Sequence, residues 1–191
     1  MPTERLRDPF REQLLEQRVV TLTGPLDDTA CAEAAAELLH LDRADPGREL
    51  SLYLNSSGGA LTPLLGLVDV VRSLACPVQT VCLGRAERTA AVLLAVGTPG
   101  RRVVMPQARL LLAHPDPGTE PDGHPLAAEE LMHHADSWER RLRAVEALLA
   151  EATGTSRERV RHDLEHGLAM GAEGAVGYGL ADTIGRRPPN G

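Results

Sequence analysis

Residues 50–72 constrain the fold of this chain more than any other segment. A β-rich run at 50–54 is followed by Asn-Ser-Ser-Gly-Gly and then, after Ala60, by a helical pattern of apolar residues. This order of strand, glycine turn and helix predicts one βα unit. The paired glycines Gly58 and Gly59 allow backbone conformations that are closed to other residues, and they expose peptide N–H groups on the turn. Such a turn can hold a peptide or stabilise an oxyanion.

Strand and helix patterns alternate along much of the chain. The further runs with strand character are 18–23, 77–83, 102–105 and 108–113, and those with helical character include 29–41 and 90–96. Gly84 is expected to end the strand at 77–83. The alternation predicts an α/β fold, in which crossover helices cover a largely parallel sheet.

A long helical pattern over 126–152 follows a segment rich in proline and glycine at 114–125. With a rise of about 1.5 Å per residue, this helix would reach about 40 Å, more than the core of one compact domain needs. We therefore expect residues 114–152, a loop and a long helix, to form an oligomerisation region within a single domain at 18–185. A flexible arm is expected at 1–17 and a disordered tail at 186–191.

Composition argues against several classes of function. The chain has 27 acidic and 20 basic residues and is only 2% aromatic, so neither phosphate attraction nor base stacking favours a nucleic-acid partner. No apolar run approaches the ~18 residues that a membrane span needs. The three cysteines lack metal-ligand spacing and indicate a reducing compartment. We expect a cytoplasmic protein with no membrane partner, no metal and no cofactor.

Five segments of the chain resemble the proteolytic subunit of the caseinolytic (Clp) protease, ClpP, in the same order and at nearly the same spacing. They are VVTLTGPLDD, LLHLDRADPGRELSLYLNSSGGALT, VQTVCLG, LLAVGTPGRRVVMPQARLLL and AVGYGLAD, and the similarity runs from about Asp8 to Ile184. The resemblance implies a ClpP/crotonase-like fold of repeated βα units, with the long helix projecting at a ring-ring interface. It also implies seven-membered rings around a chamber of serine-protease sites, fed by an AAA+ unfoldase.

The catalytic positions that the resemblance implies carry the wrong residues for a serine protease. The family's serine falls on Arg88, its histidine on Ala113 and its aspartate on Gly167. A guanidinium cannot form an acyl-enzyme, and loss of even one triad member costs orders of magnitude in rate. The resemblance therefore implies no intact triad. It keeps an oxyanion and substrate-binding edge at Ser57, Gly58, Gly59 and Ala60.

Three hypotheses follow from this pattern. The first is a non-catalytic, regulatory subunit that assembles with itself or with an active ClpP-type paralogue, with an AAA+ unfoldase as a further candidate partner. The second is a different enzyme on the same scaffold, an isomerase, cyclase or hydrolase of a small molecule or thioester, which would use the retained oxyanion hole. Its candidate cleft residues are Glu87, Arg88, Thr89 and His114.

The third hypothesis is an active peptidase with a relocated triad. Thr89 adjoins the former serine position and His114 adjoins the former histidine position, and the further candidates are Asp116, His124 and His166. One residue along a strand reverses the side-chain direction, and one residue along a helix rotates it by about 100°. Both shifts disfavour a Thr89–His114 pair.

Overall fold

The computed structural model describes residues 9–115 and 128–185, and the side chains of residues 10–115 and 135–185. Most of the expected loop at 114–125, most of the N-terminal arm and the tail at 186–191 lie outside the described residues. In chain order the described elements are α1 (Pro9–Glu16), β1 (Val19–Thr23), α2 (Asp28–Ala44), β2 (Leu50–Ser56), α3 (Leu61–Ser73), β3 (Val78–Glu87), α4 (Thr89–Ala95), β4 (Arg102–Val104), β5 (Arg109–Leu112), α5 (Ala128–Thr153), α6 (Arg157–His166), β6 (Leu168–Met170), α7 (Ala172–Tyr178) and β7 (Thr183–Ile184).

Local sequence signals explain the main elements. Along β2, Leu50, Leu52 and Leu54 are fully buried and alternate with more exposed residues, as a strand with one face on the core requires. Helix α2 begins where the Asp27 carboxylate accepts a hydrogen bond from an N–H of the first turn, and α6 begins at Ser156 in the same way. Aspartate and serine are among the residues preferred at helix N-termini.

The sheet confirms the predicted α/β class. Its central order is β1-β2-β3-β4-β7, and every pair along this path is parallel. Strand β5 pairs in parallel with the far end of β3, and β6 adds to β5 in the antiparallel direction. None of the described helices is both long and apolar enough to cross a membrane.

One expectation about a strand was wrong, and two short strands were missed. Strand β3 does not end at Gly84 but continues to Glu87, because it changes neighbours: its first half pairs with β4 and residues Arg85–Glu87 pair with β5. Arg85 N–H also donates to the Asn55 side chain of β2, which supports the extension. The strands β6 and β7 were not predicted, because runs of three and two residues are too short to show a period.

The core lies between the sheet and its covering helices. Helix α4 is buried along its whole length, and Val145 and Leu149 of α5 are fully buried beside it. Arg102 of β4 links three helices to the sheet. Its buried guanidinium pairs with Asp182 and donates hydrogen bonds to carbonyl oxygens at the C-terminal ends of α4, α5 and α7.

Candidate functional site

The glycine turn packs directly on the junction between β3 and α4. Gly58 has a φ of 89°, and a Cβ added there would lie 2.7 Å from the carbonyl oxygen of Glu87 and 3.1 Å from the Cβ of Arg88. A Cβ on Gly59 would overlap the backbone of Leu26, which bridges to Gly59 as a short parallel pair. Both positions therefore require glycine, as the sequence predicted for this turn.

Arg88 occupies the strained vertex between a strand and a helix. Its φ of 50° and ψ of −116° lie outside the regions that residues with a Cβ favour. The vertex is held on both sides, because β3 ends at Glu87 and the Arg88 N–H donates to the Leu111 carbonyl at 2.7 Å. A strained strand-to-helix turn of this kind presents a nucleophile in many hydrolases. Here it carries a half-buried arginine.

The positions assigned to a triad converge at one end of three adjacent strands. In the ladder, Glu87 of β3 is level with Leu111 of β5, and Leu112 of β5 is level with Leu168 of β6. Continuing each register by one residue sets Arg88 level with Leu112 and Ala113 opposite Gly167, with β5 between β3 and β6. The tertiary structure thus brings Arg88, Ala113 and Gly167 to the same end of three adjacent strands.

Thr89 fills the space between the vertex and the glycine turn. Its side chain is fully buried, and its hydroxyl oxygen accepts a 2.7 Å hydrogen bond from the Gly59 N–H. The same hydroxyl lies 3.3 Å from the Gly59 carbonyl, to which it donates. Thr89 is therefore held against the turn as a structural bridge rather than presented as a nucleophile.

The two glycine N–H groups of the predicted oxyanion edge already have partners within the chain. The Gly59 N–H donates to Thr89, and the Gly58 N–H donates to the Ser56 hydroxyl at 3.0 Å. The Ser56 hydroxyl in turn donates to the Gly24 carbonyl. An oxyanion hole needs N–H groups aimed at the reacting oxygen, so these two donors could serve one only after rearrangement. Ser57 and Ala60, the other predicted edge residues, are half-buried beside them.

The remaining candidates do not assemble a second site in the part of the chain that the structure describes. Glu87 and His114 are half-buried, and the backbone N–H of His114 donates to Leu164 of α6 at 3.0 Å. His166 is exposed at the end of α6, where it contacts His162 rather than the vertex. Asp116 and His124 lie outside the described residues. The observed hydrogen bonds of the Thr89 hydroxyl go to Gly59, so no Thr89–His114 pair is formed.

The free cysteines do not supply an alternative nucleophile. All three are buried, and burial raises the pKa of the Cys82 thiol, on β3, to about 12. Burial, with nearby carboxylates, likewise raises the pKa of Cys31 to about 11. Because the thiolate is the reactive form, these two thiols are inert near neutral pH. The described residues also contain no group of three or more histidine, cysteine or acidic side chains suited to a metal ion.

Comparison with known proteins decides the family. A model of the family described as Clp protease matches residues 3–188 of the chain. The chain belongs to the Clp protease family. The predicted ClpP resemblance is thereby confirmed, and the mostly parallel sheet with flanking helices agrees with that fold.

Several Clp proteolytic subunits are similar to this chain over most of their own length. A Clp protease proteolytic subunit-like protein of Streptomyces coelicolor is 41% identical over 187 residues, which cover 97% of this chain and 87% of the relative. The ATP-dependent Clp protease proteolytic subunit 1 of Corynebacterium glutamicum is 39% identical over 172 residues, covering 90% and 81%. Subunit 2 of Streptomyces coelicolor is 39% identical over 181 residues, covering 93% and 79%. This chain is thus a homologue of Clp proteolytic subunits.

Sequence reasoning about this Clp family member missed the structural role of Thr89. The sequence suggested a hydroxyl beside the former serine position, and therefore a candidate nucleophile. Its bond to Gly59 joins residues 30 positions apart, and no local pattern in the sequence signals such a contact. The role of a threonine at position 89 became clear only when the end of β3 and the glycine turn were seen to pack against each other.

Proposed function

We propose that this Clp family member is a non-catalytic subunit that assembles with active Clp proteolytic subunits and changes the composition or assembly of their particle. The observation that carries the proposal is Arg88 at the strained vertex between β3 and α4. A guanidinium at this place offers positive charge and hydrogen-bond donors, but it has no nucleophilic electron pair. The position at which a nucleophile would be presented is therefore occupied by a group that cannot attack a peptide.

The surroundings of Arg88 support the same proposal. Ala113 and Gly167 lie at the same end of the adjacent strands β5 and β6, and neither has a side-chain group that can accept or hold a proton. Thr89 occupies the Gly59 N–H, a donor that the alternative of a repurposed enzyme would need for an oxyanion. The residues at the implied triad positions and the occupied Gly59 N–H together favour a non-catalytic subunit. They disfavour the alternative of a different enzyme on the same scaffold.

The proposed partners follow from the names of the relatives. Their names describe proteolytic subunits of an ATP-dependent protease, so an active proteolytic subunit is the first expected partner and a Clp ATPase is a further one. Self-assembly into rings remains an alternative arrangement. Helix α5, with 26 residues, is the expected contact between rings. The cytoplasm remains the predicted location, in keeping with three free thiols.

Co-expression with active proteolytic subunits from the same organism tests the proposal. We expect native mass spectrometry to find mixed rings, and a serine-reactive fluorophosphonate probe to label the active partner but not this chain. An active partner with its catalytic serine replaced by alanine controls for the labelling. Failure to form mixed rings with any such partner would contradict the assembly role. Labelling of this chain would contradict the absence of a catalytic nucleophile.

A further inference from the structure

Helix α1 packs against the rest of the chain along a narrow strip. None of its described side chains is fully buried: Leu14 and Leu15 are half-buried, and Phe10 is 74% exposed. A cavity of about 370 Å³ opens on the side of α1 that carries Phe10 and Leu14. Another cavity, of about 840 Å³, opens on the side that carries Leu15 and Glu16. Apolar burial therefore contributes little to holding α1 in place.

Arg11 links α1 to α2 through two ion pairs, which we call the Arg11 clamp. Its guanidinium donates to Glu33 at 3.0 Å and to Glu37 at 2.7 Å. The two glutamates are four residues apart on α2, where like charges repel each other, and Arg11 bridges them. The exposed fractions of the three side chains are 37%, 40% and 18%. Dissolved salt can therefore screen the clamp.

The docked position of α1 leaves one carboxylate oxygen unsatisfied. Glu37 Oε1 accepts both hydrogen bonds from Arg11, whereas Glu37 Oε2 is buried and has no hydrogen-bond partner in the part of the chain that the structure describes. Burial raises the pKa of Glu37 in spite of the positive charge of Arg11, as expected for a carboxylate that has lost water. A buried polar atom without a partner opposes the docked state, and release of α1 returns Oε2 to water.

The chain is anchored immediately after α1. Arg18 has a φ of 61° and is only 5% exposed. Its guanidinium donates to four backbone carbonyl oxygens, those of Leu41, Asp45, Arg48 and Glu49. Strand β1 begins at the next residue. A movement of α1 can therefore be taken up at Gln17 and Arg18 without disturbing the sheet.

We propose that α1 is a releasable helix, which the Arg11 clamp holds against α2 and which moves away as a unit about residues 17–18 when the clamp is screened or lost. The clamp favours the docked state, while the unsatisfied Glu37 Oε2 and the small apolar contact oppose it, so the two states lie close in free energy. Salt weakens the clamp and shifts the population toward release. The inference rests on the contacts between α1 and α2 and does not depend on the proposed function.

Hydrogen–deuterium exchange of the full chain, followed by mass spectrometry, tests the inference, because exchange through an opening reports the population of the open state. We expect the amides of α1 to exchange faster in about 1 M than in about 0.05 M sodium chloride, while those of α2 and β1 keep their rates. Arg11→Gln should speed exchange in α1 by about 2–30-fold at low salt, the range expected when two partly exposed ion pairs are lost. Arg143→Gln, which removes an exposed ion pair with Glu139 on α5, is the matched control.

Two exchange results would overturn the proposal. One is an α1 that exchanges as slowly as α2 at both salt concentrations and is unchanged by Arg11→Gln. The other is an acceleration that spreads equally to α2 and β1, which would show global unfolding. The salt series on wild type decides the question even if Arg11→Gln does not fold, which circular dichroism checks.

Spin labels supply an independent measurement of the movement. Gln13→Cys on α1 and Ala32→Cys on α2 place them at exposed positions, and the three native cysteines are buried. The labelled chain is diluted with unlabelled chain, so that only distances within one subunit are measured. A second, longer distance at high salt supports release of α1, and a single distance that salt does not change refutes it.

Discussion

Thr89 and Gly59, 30 residues apart in sequence, are joined by a 2.7 Å hydrogen bond from the Gly59 N–H to the threonine hydroxyl. This contact occupies a backbone donor at the place where the family resemblance expects an oxyanion to be stabilised. The proposed loss of catalysis therefore has two independent grounds. The positions that the resemblance implies for the triad carry arginine, alanine and glycine, and the Thr89 side chain occupies the Gly59 N–H.

Restoring the triad should reveal the second obstacle. We expect the variant Arg88→Ser/Ala113→His/Gly167→Asp to cleave a fluorogenic peptide weakly, and the addition of Thr89→Ala to raise the rate by up to about 10²–10³-fold, the value of one oxyanion donor. A Cβ on Gly167 meets nothing within 4 Å, but its φ of 72° strains any residue other than glycine, which also keeps the expected rate low. Peptidase assays and fluorophosphonate labelling supply the measurement.

The matched control for that experiment is Thr89→Ser in the restored background. Serine keeps the hydroxyl that binds the Gly59 N–H and should leave the rate low. If the serine and alanine variants cleave at equal rates, the hydrogen bond to Gly59 is not what limits catalysis.

The strained backbone of Arg88 predicts an unusual order of stability. At a φ of 50°, glycine is free of the steric conflict that any Cβ meets. Arg88→Gly should therefore have a higher free energy of unfolding than Arg88→Ala, by about 1 kcal/mol, the lower end of the cost of such a conformation. Urea denaturation of the two variants makes the comparison. An alanine variant as stable as the glycine variant would contradict the strain.

Gly58→Ala should destabilise the fold more than a glycine-to-alanine change at another left-handed position. Its Cβ would lie 2.7 Å from the Glu87 carbonyl oxygen, so a clash of about 1–3 kcal/mol adds to the backbone cost of about 1–2 kcal/mol. Gly24 has a φ of 84° and open space around its Cβ position, so Gly24→Ala should lose only the stability that the backbone conformation costs. Thermal and urea unfolding should show Gly58→Ala as the less stable variant. Equal losses would argue against the close packing of the turn on the vertex.

The buried pair of Arg102 and Asp182 predicts a loss of stability in acid. Burial of Asp182 raises its pKa, but the hydrogen bonds and charge of Arg102 outweigh that effect and lower the pKa overall. A carboxyl with a depressed folded-state pKa stabilises the fold above its unfolded pKa, about 3.9, and loses that contribution as pH falls through the folded value. Wild type should therefore lose this stabilisation below about pH 4.

Asp182→Asn tests the pair directly. At pH 7 we expect a loss of about 3 kcal/mol, because the buried guanidinium of Arg102 loses its counter-charge. Between pH 4 and pH 2 the variant should lose less stability than wild type, since it lacks the titrating group. Urea unfolding at several pH values measures both effects, and Asp136→Asn, at an exposed position of α5, is the control. Parallel pH profiles for wild type and Asp182→Asn would contradict the account.

Local patterns predicted much of the architecture and failed at identifiable places. The alternation in β2 and the cap residues Asp27 and Ser156 were readable because each signal lies within a few residues. The continuation of β3 past Gly84 could not be predicted from local sequence, because it depends on the pairing of β5 with the far end of β3. In the same way, the sequence presented Thr89 as a hydroxyl near a site, whereas its partner Gly59 comes from another strand-helix turn.

By itself the sequence determined the family and the α/β order of elements, since these depend on residue identity and spacing along the chain. The tertiary structure decided which groups meet. The strand ladder places Arg88, Ala113 and Gly167 at the same end of three adjacent strands. Thr89 reaches Gly59 because the turn and the vertex pack together without an intervening Cβ on Gly58. Hydrogen bonds act over about 3 Å in space, and a distance of that kind between residues far apart in the chain is set only by folding.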